Sequence, residues 1–103
     1  SKNMILSANG QNIYPEEIEA VVNNQDFVVE SVVVDRGASL VALVFVDKDK
    51  IKEAGLELEA QMEVLKAEVN KLMPAYSKIA KVEVMDVPFE KTPKMSIKRF
   101  MYK

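Results

Sequence analysis

Cysteine and histidine are both absent from this chain of 103 residues. The chain therefore cannot form disulfides, use a cysteine nucleophile or a Ser-His-Asp triad, or build a zinc site on cysteine or histidine. Only carboxylates, lysine, arginine, tyrosine and hydroxyl groups remain for chemistry. These absences argue against a self-contained hydrolase or metalloenzyme, and we predict no metal site.

Long apolar runs are also missing. No stretch approaches the ~20 residues that cross a membrane, and Ser1-Lys2-Asn3 leads into a strand-like segment without a signal peptide. We therefore expect no membrane span and a cytoplasmic location, with which the lack of cysteine is compatible. Because the chain also lacks an initiator Met, we expect it to be part of a longer protein.

Length and composition indicate one small folded domain, since 49% of the residues are hydrophobic and 29% are charged. The charge is unevenly distributed. Residues 1–76 hold seven Lys/Arg and thirteen Asp/Glu, whereas residues 77–103 hold seven and three. A basic final quarter on an acidic body suggests contact with an anion, although a solvated basic tail would have the same composition. No RNA-binding aromatic motif or helix-turn-helix pattern is visible, so we expect no nucleic-acid partner.

The first half of the chain predicts two hairpins around a helix. A short apolar run at 4–7, the turn signal Asn9-Gly10 and a return at 12–14 form the first hairpin. Pro15 then starts a helix that closes at 23–26. Strands follow at 28–35 and 40–46, with a turn at 36–39. The second of these strands is nearly all apolar, so we expect it to be central and covered on both faces.

The second half predicts a polar connection over 47–55, a helix from Leu56 to Pro74, a strand at 81–85 and a short closing strand at 97–102. The helix carries one apolar stripe, formed by Leu58, Met62, Leu65, Val69 and Leu72. This stripe would pack on the sheet of the domain or, alternatively, bind a partner helix. The element order predicts an α+β fold: a small, mostly antiparallel sheet with flanking helices and an N-terminal two-stranded hairpin.

Two segments are candidates for function. In the first, Gly10 permits a positive φ or a close backbone approach, although local physics alone favours a plain hairpin turn before a helix. The second, residues 91–100, combines prolines, a threonine and several cations, and could form a phosphate-facing loop or an exposed basic tail. It is not a P-loop, because the pattern Gly-x-x-x-x-Gly-Lys is absent.

Together these segments carry a family resemblance. The run Gly10-Gln11-Asn12-Ile13-Tyr14-Pro15-Glu16-Glu17-Ile18-Glu19, the stretch Leu72-Met73-Pro74-Ala75-Tyr76, and Thr92-Pro93 followed by Ile97-Lys98-Arg99 occur in one order. This order resembles the C-terminal domain of the adenylate-forming superfamily, which includes acyl-CoA synthetases, nonribosomal peptide adenylation domains and luciferases. The ending, from Pro88 to Tyr102, is most similar to long-chain fatty acyl-CoA ligases.

The resemblance implies an enzyme part: residues 1–103 would be a mobile C-terminal lid of an ATP-dependent acyl-CoA ligase. An N-terminal AMP-binding domain of the same chain would bind ATP, Mg²⁺ and a fatty acid and form the acyl-adenylate. The lid would then rotate for attack by CoA. We expect the lid alone to be inactive and to hold no cofactor. The alternative function is a non-enzymatic ligand-binding or protein-interaction module.

The resemblance also assigns roles to individual residues. The turn of Asn9, Gly10 and Gln11 would enter the site for the thioester step, and the loop with Thr92 and Arg99 would face phosphate during adenylation. Ser96 stands where the family has its catalytic lysine. Serine carries no charge, so it cannot stabilise a developing phosphate charge as lysine does.

Three explanations of Ser96 are open. Lys94 or Lys98 could substitute, since each lies two residues away and on the same side of an extended segment. Alternatively, adenylation is weak and the thioester step is retained, or the position has been altered from lysine.

Overall fold

A computed structural model describes residues 3–7 and 9–103. The predicted N-terminal hairpin is present: β1 (Ile5–Leu6) pairs antiparallel with β2 (Asn12–Ile13). Helix α1 (Pro15–Asn23) follows directly, with proline at its start and Glu16 in its first turn. Both features suit the N-terminal end of a helix, because proline needs no hydrogen-bond acceptor there and a carboxylate complements the dipole.

The main sheet has three strands in the order β3 (Val28–Arg36), β4 (Ser39–Val46), β5 (Lys81–Val84). Strands β3 and β4 form an antiparallel hairpin, whereas β5 runs parallel to β4. Gly37 and Ala38 connect β3 to β4 with φ values of 62° and 68°, which is the type I′ geometry that matches strand twist. The α+β class is confirmed, and the main sheet is mixed.

Strand β4 is central and buried on both faces, as its apolar sequence predicts. One face packs against α1 and α3 through a core that includes Val22, Val44 and Val69. On the opposite face, Val41 and Leu43 join a second cluster that is covered by the end of the chain. The sheet therefore separates a helical layer from a layer built by residues 85–103, which we call the closing segment.

Helix α2 (Lys48–Glu53) occupies the region where the sequence indicates only a polar connection. Its N-cap is Asp47, whose carboxylate accepts a hydrogen bond from the backbone N–H of Lys50 at 3.1 Å. Ile51 is its buried contact with the core and is 2% exposed. A single apolar residue in six gives no periodic signal, so the prediction of a polar connection was wrong here.

Helix α3 (Leu58–Leu72) buries most of its stripe: Met62, Leu65 and Val69 lie in the core. The prediction was wrong for Leu72, which is 67% exposed. Leu72 ends the helix, and Met73 turns into an extended conformation and packs against the core instead. Because the stripe is used within the domain, a partner-binding role for α3 is not favoured.

The closing segment does not form the predicted last strand. Residues Lys91 and Ile97 make one isolated antiparallel bridge, and a 3₁₀ turn (Arg99–Met101) follows. The chain turns back on itself in this segment, since the Lys98 N–H donates to the Glu90 carbonyl at 2.8 Å. Within residues 3–7 and 9–103, no helix has the length and apolar character that crossing a membrane requires.

Candidate functional site

The Gly10 loop, residues 7–11, joins β1 to β2; Ala8 lies outside the described residues. The Ser7 N–H donates to the Gln11 carbonyl at 2.9 Å, and the Gly10 N–H donates to the Ser7 carbonyl at 3.0 Å. The Ser7 hydroxyl accepts from the Gln11 N–H at 3.0 Å. These bonds close a tight loop that leaves Asn9, Gly10 and Gln11 exposed.

Gly10 has a φ of +82°, and a Cβ built on it would meet nothing within 4 Å. Glycine is therefore required by the backbone conformation and not by a lack of space. The predicted turn is present, and open space surrounds its tip. The role of Asn9, Gly10 and Gln11 in a thioester step stays a prediction.

The closing loop, residues 91–98, is a second tight turn. The Met95 N–H donates to the Thr92 carbonyl and the Thr92 N–H donates to the Ser96 carbonyl, both at 2.8 Å. The Thr92 hydroxyl accepts from the Ser96 N–H at 3.2 Å. Met95 takes a φ of +66°, a conformation that glycine adopts at less cost. Thr92 thus shapes the loop from within.

Ser96 and Lys94 are exposed and Lys98 is half-buried, so the structure gathers all three at one loop. In the described part of the chain, no carboxylate lies within ion-pair distance of Lys94 or Lys98. Their geometry differs from the extended segment that the sequence suggested. Lys94 lies inside the turn that Thr92 and Met95 close, so simple strand alternation does not relate it to Ser96.

Lys91 begins the closing loop, Arg99 directly follows it, and both side chains are paired with carboxylates. Lys91 Nζ lies 2.9 Å from a carboxylate oxygen of Glu30 on β3. The Arg99 guanidinium donates to the carboxylate of Glu19 on α1. The structure therefore holds Arg99, a candidate phosphate ligand, against α1, and its role toward phosphate stays a prediction.

Glu19 is the most buried of these charges, since its side chain is 8% exposed. It also accepts a hydrogen bond from the backbone N–H of Val33 at 2.7 Å. Burial raises the pKa of Glu19, and the hydrogen bonds from Arg99 and Val33 oppose that rise. Arg99 and the Val33 N–H are thus the groups that favour the ionised form of this carboxylate against the effect of burial.

Glu19 and Glu30 were missed by the sequence reasoning, although the sequence carries a signal for each. Glu19 falls three residues before Val22, on the apolar stripe of α1, and Glu30 interrupts a run of valines in β3. A carboxylate at a position that the pattern marks as buried needs a partner. The arginine and lysine of the closing segment are those partners.

The base of the closing segment is packed and is not a solvated tail. Phe89 is 3% exposed, and its ring packs against that of Tyr102 in a T-shaped arrangement with centroids 4.9 Å apart. The Tyr102 hydroxyl accepts from the Glu90 N–H at 2.8 Å. The unpaired lysines therefore project from a fixed support. The described residues contain no cluster of three or more acidic side chains arranged to hold a metal ion.

The architecture defines a small α+β domain that presents two tight loops, one shaped by a glycine and one carrying unpaired lysines. Comparison with known families agrees with this description. Residues 2–102 match the family described as the AMP-binding enzyme C-terminal domain, and the chain belongs to this family. A search of curated proteins found no match.

Solved structures of several enzymes contain the same fold. An acyl-CoA synthetase from Brucella canis is 25% identical, with a TM-score of 0.75 over 96% of this chain and 18% of that chain. A benzoate CoA ligase from Burkholderia xenovorans LB400 is 24% identical, with a TM-score of 0.68 over 97% of this chain and 22% of that chain. A fatty acyl CoA synthetase from Mycobacterium tuberculosis is 22% identical, with a TM-score of 0.71 over 95% of this chain and 18% of that chain. The chain thus spans about a fifth of the length of these enzymes.

Proposed function

We propose that residues 1–103 form the mobile lid of an ATP-dependent acyl-CoA ligase and act with an N-terminal adenylation domain of the same polypeptide. One observation carries the proposal: a packed support presents the unpaired lysines Lys94 and Lys98 beside Ser96. Family membership supports it, because the similar solved enzymes include acyl- and aryl-CoA ligases. The lack of cysteine is compatible with a cytoplasmic enzyme.

In the proposed first step, a carboxylic acid attacks the α-phosphate of ATP, and pyrophosphate leaves. Mg²⁺ would accompany ATP in the complete enzyme. A lysine of the closing loop would neutralise the charge that develops on the phosphate oxygens, an electrostatic contribution that does not need histidine or cysteine. We assign this contribution to Lys94 or Lys98 in place of Ser96, with Thr92 shaping the loop.

In the proposed second step, the thiol of CoA attacks the acyl carbonyl, and AMP leaves. The open tip around Gly10 would line the path of the CoA arm, since a residue without a side chain allows close backbone approach. We propose a fatty acid as the substrate. The resemblance of the ending, from Pro88 to Tyr102, to long-chain fatty acyl-CoA ligases supports this choice, and a panel of fatty, aromatic and dicarboxylic acids would test it.

The lysine assignment predicts a selective loss of adenylation. In the protein encoded by the complete reading frame, we expect Lys94→Ala/Lys98→Ala to lower adenylate formation by about 100-fold or more, because a preorganised charge is removed. Acid-dependent pyrophosphate exchange measures this step. Thioester formation from a supplied acyl-adenylate should be retained.

The matched control, Lys50→Ala/Lys52→Ala, removes the same charge from α2 and should leave both steps unchanged. Full adenylation in the loop variant would contradict the lysine assignment. If Ser96→Lys then increased adenylation strongly, we would conclude that no other lysine substitutes for the family lysine and that adenylation is weak in this protein.

The glycine assignment predicts a selective loss of the second step. Gly10 and Gly55 both have a positive φ, and open space surrounds the Cβ position of each. Alanine should therefore cost each position about 1 kcal/mol of stability. Only Gly10→Ala should slow thioester formation, by about tenfold or more. Equal effects of Gly10→Ala and Gly55→Ala on the second step would remove the proposed role of the Gly10 loop.

A further inference from the structure

Glu30 connects the body of the domain to the closing loop. It lies on β3 next to a register irregularity between Val28 and Glu30. Such bulges re-aim side chains relative to a regular strand. Here the Glu30 carboxylate reaches across 61 residues of sequence to Lys91, the first residue of the closing loop.

The contacts of Glu30 form one continuous path. One carboxylate oxygen accepts from the Phe89 N–H at 2.9 Å and from Lys91 Nζ at 3.0 Å. The other oxygen lies 2.9 Å from the same ammonium group. Lys91 Nζ also donates to the Phe89 carbonyl at 3.0 Å, and the Lys91 backbone pairs with Ile97 across the loop. A shift of Glu30 would therefore move both sides of the loop.

The ion pair of Glu30 and Lys91 is largely buried, which bears on why it is present. The side chains of Glu30 and Lys91 are only 16% and 23% exposed. Buried ion pairs contribute little net stability, because desolvation offsets the attraction, and apolar residues of similar volume often do as well. Apolar residues would not, however, fix the angle of the backbone at Phe89 and Lys91. The pair is thus better explained by geometry than by stability.

We infer that Glu30 is a positioning residue: through Lys91 and the Phe89 N–H, it holds the closing loop at the angle that presents Lys94 and Lys98 for adenylation. Only the second part of this inference, the presentation of Lys94 and Lys98 for adenylation, rests on the proposed function. The connection from Glu30 to the loop is a property of this chain by itself. The two parts are therefore tested by separate measurements.

The first measurement uses amide hydrogen exchange on the 103-residue chain. In Glu30→Gln, the amide oxygen can still accept from Phe89, but the ion pair with Lys91 is lost. We expect exchange at the Thr92 and Met95 amides, which are bonded within the loop, to speed up by about tenfold, while the core amides of β4 stay protected. The control Glu83→Gln removes the same charge from an exposed pair on β5, and loop exchange should not change.

A second variant, Glu30→Leu/Lys91→Met, keeps the site filled and leaves no unpaired buried charge. It also removes the acceptor of the Phe89 N–H, so protection of the β4 amides serves as the check that the fold is retained. Faster loop exchange in this variant supports positioning. Unchanged loop exchange in both variants overturns the inference.

The second measurement uses the complete enzyme. Both Glu30 variants should lower kcat for adenylate formation by about tenfold to a hundredfold, the effect of a misplaced catalytic group. KM for ATP and the rate of thioester formation should not change. A merely structural role would lower both half-reactions together, and that result would overturn the positioning role. If the unsubstituted enzyme formed no adenylate, the proposed function would fail, and loop exchange would still decide whether Glu30 holds the loop.

Discussion

Four of the five cations in the closing segment divide into two groups. Lys91 and Arg99 are paired with carboxylates of the body, whereas Lys94 and Lys98 have no ion-pair partner among the described residues. The excess positive charge at the end of the sequence therefore serves two purposes. One pair of cations attaches the segment to the domain, and the other pair is available to an anion.

Removal of Arg99 should destabilise the fold, because the buried Glu19 carboxylate loses its ion-pair partner. We expect Arg99→Met to lower the free energy of unfolding by about 1–3 kcal/mol at pH 8, less than for a fully buried pair because Arg99 is partly exposed. Chemical denaturation of the chain measures the change. The control Lys71→Met, in an exposed pair with Glu68, should cost no more than about 0.5 kcal/mol.

The loss in Arg99→Met should depend on pH. Burial already raises the pKa of Glu19 above its ordinary value of 4.5, and the variant removes the guanidinium that opposes this rise. The folded state then binds the proton more tightly than the unfolded state does, so stability falls as the pH rises from about 4.5 through the folded pKa. The deficit should be small near pH 4 and largest at pH 8. An equal deficit at both pH values would contradict an ionised, buried Glu19.

At the scale of secondary structure, α3 offers a test of how the stripe is used. Leu65 is 2% exposed and Leu72 is 67% exposed, although both occupy the same apolar stripe in the sequence. We expect Leu65→Ala to cost about 2–5 kcal/mol, the range for a cavity in a core. Leu72→Ala should change stability by about 0.5 kcal/mol or less. Thermal or denaturant unfolding distinguishes the two, and similar losses would mean that α3 extends further along the core.

Elements with a strong local signal were predicted correctly from the sequence. The valine-rich strands β3 and β4, the proline that starts α1 and the long stripe of α3 each carry such a signal. Helix α2 and the end of α3 were not predicted correctly, because the formation of a short polar helix and the choice between Leu72 and Met73 depend on tertiary packing. The predicted closing strand at 97–102 is absent for a related reason, because the 3₁₀ turn Arg99–Met101 interrupts it after the single Lys91–Ile97 bridge.

The candidate site, like the fold, was predicted from the sequence only in part. The turn at Gly10 and the cations around Ser96 are visible in the sequence, because glycine and lysine are unusual in their local context. The identity of the paired cations is not visible. Arg99 meets a glutamate 80 residues away, and only the folded chain shows that, among the described residues, Lys94 and Lys98 of the closing loop have no ion-pair partner.

For the whole molecule, α1 links the two candidate loops. Its first residue follows the hairpin that carries the Gly10 loop, and its Glu19 binds Arg99 just after the closing loop. Both loops are thus attached to one rigid element. A rotation of the domain would move them together, which suits a lid that presents one loop in each step.

The Gly37–Ala38 turn also bears on the order in which the chain folds. Strands β3 and β4 are neighbours in sequence, so their pairing closes a loop of only a few residues and costs little entropy. The pairing of β5 with β4 instead joins residues that lie far apart in the sequence, because a long connection runs from Val46 to Lys81 between the two strands. Contacts of this kind form late, because the chain orders many residues before it gains them. We therefore expect the β3–β4 hairpin to form early in folding and the closing segment to join a sheet that has already formed.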